Sequence, residues 1–107
     1  MSKNSKDLMR TLRLPHFIVE TLKFYEKEGY IDRNSFIQNS IRNHAMYCES
    51  YSDFAQTETT PIKVKLPNSI YQQLIKLARE HQSSVSEIVA TTLSFSIANI
   101  LDELNRR

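Results

Sequence analysis

A chain of 107 residues, 40% of them apolar, suits one small domain or two very small units that share a core. Domains this size bury only about 60–65% of their unfolded surface, so a half-length fragment is marginal alone and mutual burial is expected. The composition excludes several classes. Cys48 is the only cysteine, so no intrachain disulfide can form, and the polar start Met1–Asp7 has no apolar core for a signal peptide. No apolar run is read as approaching the roughly 20 residues of a membrane span, which leaves a cytoplasmic protein as the expectation. With Gly29 as the single glycine a phosphate-binding loop is all but excluded. No nucleophile–base pair or carboxylate constellation appears, so no enzymatic activity, catalytic residue or cofactor is expected.

Residues 1–7 read as a mobile tail. From Leu8 to Leu14 apolar and polar residues alternate, and Pro15 ends the run. A strand with that pattern puts Leu12 and Leu14 on one face and Thr11 and Arg13 on the other. Between His16 and Glu28 the spacing becomes helical: Ile18, Leu22 and Tyr25 recur at i, i+4 and i+7. Gly29 stands where a left-handed helix end needs it. Asp32 reads as the N-cap of a second helix that presents Phe36, Ile37, Ile41, Ala45 and Cys48 on one side. Tyr47, Tyr51 and Phe54 keep helical spacing, which extends that helix toward Ala55 and leaves 56–60 as linker. These three rings fit a packed stripe covering the linker, or a stacking face. His44 and Cys48 lie at i, i+4, but without a third ligand they do not make a metal site.

The pattern then restarts. Ile62, Val64 and Leu66 alternate with Lys63 and Lys65, and Leu66-Pro67 repeats Leu14-Pro15 after 52 residues. At that same offset Ile70 answers Ile18, Leu74 answers Leu22, Leu77 answers Tyr25, Val89 answers Ile37 and Leu93 answers Ile41. This is an internal repeat of one supersecondary unit. Ser84-Val85-Ser86-Glu87 is a capping box and opens the last helix, whose apolar side runs Val85, Ile88, Val89, Leu93, Ile97, Ile100, Leu104. Two positions break the repeat. Arg10 stands where the second copy has Ile62, so the outer end of the first strand is expected to fray. His81 replaces Gly29, which costs on the order of 1 kcal/mol if it must be left-handed, or else requires a different turn. Basic residues gather at both strands: no acidic residue lies between Glu58 and Glu80, and Asp7 is alone among Lys3, Lys6, Arg10 and Arg13. That distribution suits a polyanion partner.

The order strand–helix–helix, linker, strand–helix–helix, with Leu-Pro closing each strand and Gly29-Tyr30 between helices, resembles the ribbon-helix-helix family (the MetJ/Arc class of DNA-binding regulators). The motifs are Thr11-Leu12-Arg13-Leu14-Pro15 with Gly29 through Ile37, and Lys63-Val64-Lys65-Leu66-Pro67 with Ser83 through Val89. Two such units in one chain also resemble the tandem transcription regulators of some archaeal viruses, in architecture alone.

The resemblance implies a mainly α fold with a short two-stranded antiparallel ribbon. Two ribbon-helix-helix units, residues 8–55 and 61–107, would intertwine around one helical core. It further implies that the ribbon enters the DNA major groove, read by Thr11, Arg13, Lys63 and Lys65, with apolar contact from Met9 and Pro61. Helix N-termini would clamp phosphate through the backbone around Asp32, Arg33 and Asn34 and around Ser84, Val85 and Ser86; Arg33 adds charge there and Asp32 opposes it. The physics agrees: exposed strand residues reach base edges, and a helix start attracts phosphate. The implied function is a sequence-specific double-stranded DNA-binding transcription regulator, by default a repressor, including of its own gene. The competing reading is an antitoxin-like adaptor for a protein partner, against which the short stretch after the last helix argues. Like units pairing between chains would give a dimer with two ribbons. Pairing within one chain, the favoured arrangement, gives a non-palindromic site and further self-association through Tyr47–Phe54 or the last helix.

Overall fold

The computed structural model describes residues 7–45 and 58–105. The chain runs β1 (Asp7–Pro15), α1 (His16–Lys27), α2 (Arg33–His44), β2 (Thr59–Pro67), α3 (Asn68–Glu80) and α4 (Val85–Asn105). It is mainly helical, with a two-stranded antiparallel sheet made within one chain. The extension of the second helix toward Ala55, with Tyr47, Tyr51, Phe54 and Cys48, lies outside the described residues. β2 begins at Thr59, inside the stretch read as linker, because Thr59 and Thr60 pair with Pro15 and Leu14. β1 likewise reaches back to Asp7, paired with Pro67, so the strand does not end at Arg10.

One face of the sheet is core. Leu12, Leu14, Ile62, Val64 and Leu66 are all buried, and each fully buried aliphatic chain contributes about 1.5–3 kcal/mol. A one-residue slip of either strand would exchange them for Arg13, Lys63 and Lys65, so the alternation locks the register. Ile18, Leu22, Ile37, Ile41, Leu74, Ile88, Val89 and Leu93 complete a single cluster beneath. α4 lies at its centre, against β1, α2 and α3, while α2 also packs on β2. Its stretch Val85–Glu103 is long and apolar enough to cross a membrane by length and composition alone, contrary to the expectation that no run approaches that length. Here Ile88, Val89, Ala90 and Leu93 of that stretch are buried in the shared core.

Each element of the second half starts 52 residues after its counterpart: Thr59 after Asp7, Asn68 after His16, Val85 after Arg33. Pro15 and Pro67 both end a strand and lead into a helix, where a missing N–H costs nothing. The two interhelix turns solve one problem differently. After α1, Gly29 takes φ +82°, Tyr30 N–H donates to the Tyr25 carbonyl at 2.9 Å, and Gly29 N–H donates to Glu26 at 3.1 Å. A Cβ at Gly29 would meet nothing within 4 Å, so conformation and not space selects glycine there. After α3, His81 stays right-handed at φ −104° and the positive φ of 53° passes to Gln82. Ser83 N–H then donates to Ala78 at 2.8 Å, the same closure moved one residue because α3 is one residue longer.

Candidate nucleic-acid interface

The other face of the sheet is open. Met9, Thr11, Arg13, Pro61, Lys63 and Lys65 are all exposed. The register sets them in three cross-strand pairs: Met9 with Lys65, Thr11 with Lys63, Arg13 with Pro61. Thr11 therefore faces its own counterpart 52 residues on, and the two halves of the ribbon are related about that central pair. Each end carries one cation and one apolar side chain, and the middle carries a cation and a hydroxyl.

Arg13 is held. Its Nε donates to Thr59 Oγ1 at 3.2 Å and a terminal nitrogen reaches the Thr59 carbonyl at 3.5 Å. That contact leaves donors of the guanidinium fork unengaged by Thr59. Arg10, by contrast, lies half-buried on the core side opposite Val64, with its guanidinium carbon 3.9 Å from the centre of the Tyr71 ring. Stacking on an aromatic face explains how a cation is accommodated where the second copy carries Ile62. Its Nε is buried without a hydrogen-bond partner.

The starts of α2 and α4 meet the ribbon at its two edges. Asn34 Oδ1 accepts from Lys65 N–H at 2.7 Å, and Ser86 Oγ accepts from Arg13 N–H at 3.1 Å. These are the same bond in the two halves, since both donor and acceptor are separated by 52 residues. Gln38 adds a donation from Nε2 to the Lys65 carbonyl at 2.7 Å, with no equivalent at Ala90. The resemblance implies that Asn34 and Ser86 meet phosphate through their backbone. Their side chains are turned to the ribbon's unpaired edge groups, and so tie each helix start to the backbone of a cationic ribbon residue.

Both helix starts also carry carboxylates. Asp32 accepts from Ser35 N–H at 3.1 Å, and Arg33 N–H donates to Glu26 Oε2 at 3.4 Å. Hydrogen bonds from Ser35, side chain first and then backbone, with the nearby Arg33 charge, hold the Asp32 carboxyl below its ordinary value. At α4 the capping box is reciprocal: Glu87 N–H donates to Ser84 Oγ at 3.1 Å, and Glu87 Oε1 accepts from Ser84 N–H at 2.9 Å. A phosphate approaching either start meets dipole and free amides together with an opposing carboxylate. Positive charge for a phosphate there would come from Arg33 and from the ribbon.

Compared with protein-family models, curated proteins and solved structures, the chain matches none.

Proposed function

We propose that the chain is a tandem ribbon-helix-helix protein whose two units intertwine, and that it is a sequence-specific double-stranded DNA-binding transcription regulator acting as a repressor. One observation carries the reading. The row Met9, Thr11, Arg13, Pro61, Lys63, Lys65 is wholly exposed on a ribbon whose back is core and whose edges are bonded to two helix starts. Two strands about 4.8 Å apart, with their side chains, fit a major groove about 12 Å wide. The 52-residue recurrence of every element, and of the Asn34–Lys65 and Ser86–Arg13 bonds, supports two equivalent units.

In this reading Arg13, Lys63, Lys65 and Thr11 address base edges, while Met9 and Pro61 make apolar contact. Arg13 offers a planar fork for guanine O6 and N7. The backbone around Asp32, Arg33 and Asn34 and around Ser84, Val85 and Ser86 flanks the phosphates on either side. The two strands differ in chemistry, so the operator is non-palindromic. Affinity falls steeply with salt as counterions are released.

The test is a nuclease footprint on the DNA upstream of the protein's own gene, at low and moderate salt, beside an Arg13→Ala/Lys65→Ala variant. A discrete protected site, weakened by salt and lost in the variant, is the expected result. No protection of any DNA at low salt would sink the regulator reading.

A further inference from the structure

An apolar surface lies apart from the ribbon. Phe17, Phe24 and Tyr30 are 58%, 55% and 57% exposed, and with Leu101 at 49% they line one groove between α1 and the end of α4. Phe17, Glu20, Thr21, Phe24 and Lys27 recur at i, i+3, i+4, i+7 and i+10, so they form a single stripe along α1. Folding does not require it. At the equivalent positions of the second half stand Ser69, Lys76 and Gln82, all exposed and all polar.

We propose that this groove is a self-association surface, and that two copies of the chain close on each other through it about a twofold axis near Phe24. Three considerations point to a second copy. Three rings and a leucine, each about half exposed, present on the order of 400 Å² per chain, the size at which an apolar patch becomes functional. Doubled and rimmed by polar contacts, that area approaches the low end of a specific interface, about 1,200 Å². The stripe is also self-complementary in charge. Antiparallel apposition of two α1 helices about the midpoint between Lys23 and Phe24 sets Phe17 against Tyr30 of the other copy, and Glu20, which lies 3.9 Å from Lys23 of its own helix, against Lys27. Finally, among the described residues the patch occurs once per chain. A patch on both halves would let copies add without limit, whereas a single isologous patch closes at two.

This association does not depend on DNA, so it is tested without it, by sedimentation equilibrium of the full chain. The expected result is a reversible shift from the 12.5 kDa chain to twice that mass and no further. The dissociation constant should be on the order of 10–100 μM for an interface this small. Phe24→Glu should weaken dimerisation by more than about thirtyfold, as at a central aromatic anchor. Lys76→Glu, at the equivalent place on α3, should leave it unchanged. Phe17→Ser with Tyr30→Gln, which imports the residues of the second half, should match Phe24→Glu while circular dichroism stays native. Glu20→Lys should weaken the dimer roughly three- to tenfold through two exposed pairs, and Lys27→Glu added to it should restore the loss. A single-chain mass at every concentration, a dimer that survives Phe24→Glu, or a ladder of larger masses would each overturn the proposal.

Discussion

Arg13 and Lys65 lie at opposite ends of the ribbon, and that separation makes a quantitative prediction. Lys65 pairs with Met9, four residues along β1 from Arg13. At about 3.4 Å per residue the two cations are about 14 Å apart along the strands. DNA rises about 3.4 Å per base pair, so in the proposed complex they would address positions about four steps apart. Groups that far apart with no shared partner act additively. Arg13→Ala and Lys65→Ala should each cost about 1–3 kcal/mol and relax preference at one position only. Together they should cost the sum, about 2–6 kcal/mol. Thr59→Val, which removes the hydroxyl that Arg13 Nε holds at 3.2 Å, should weaken the Arg13 position alone and by less than Arg13→Ala. Fluorescence anisotropy against an operator set with every base pair substituted in turn reads all three variants. Relaxation of the same base pair by both alanine variants would refute this separation. Equal weakening of every sequence would refute base reading, because that is the signature of phosphate contact.

Three further outcomes follow from the turns, the core and the caps. Gln82→Gly should stabilise the protein by about 0.5–1 kcal/mol, since glycine removes the left-handed penalty at φ 53° and gives back part of it as chain entropy; an unchanged or lower urea midpoint would refute it. Ser96 Oγ is buried with no hydrogen-bond partner, so Ser96→Ala should raise stability by about 1 kcal/mol, and a loss on thermal unfolding would show that the hydroxyl is satisfied. The depressed Asp32 carboxyl contributes stability that is fully present above its unfolded value near 3.8 and is lost as pH falls through the lower folded value. Asp32→Asn, which keeps a capping oxygen, should therefore flatten the acid limb of the stability profile below about pH 4; superimposable acid limbs would count against it.

What could be read from the sequence, and what could not, divides along a physical line. Leu12, Leu14, Ile62, Val64 and Leu66 face the core because a strand alternates, and Ile18, Leu22, Ile70 and Leu74 because a helix repeats every 3.6 residues. Gly29 and the Ser84–Glu87 box were legible for the same reason: each is a local rule satisfied within a few residues. Contacts set by the partner strand were not. Asn34 reaching Lys65, Ser86 reaching Arg13 and Thr59 gripping Arg13 each depend on which strand lies alongside and in what register. The shift of the left-handed residue from His81 to Gln82 was hidden too, because it follows from one extra residue in α3. Arg10 looked like a defect in the pattern. Tyr71, too far along the chain for any local rule, makes it a stacked cation.

Because β1 finds β2 in its own chain, formation of the ribbon is a first-order event. A ribbon assembled from two separate chains loses stability as it is diluted, through simple mass action. Here β2 follows β1 in the same chain, so its local concentration is set by the tether, whatever the number of molecules in the compartment. The chain keeps its core at a handful of copies, where a strand-sharing dimer would fall apart. Each position of the exposed row is also encoded only once. A change at Arg13 alters one end of the row and leaves Lys65 as it was, so the two ends can vary independently.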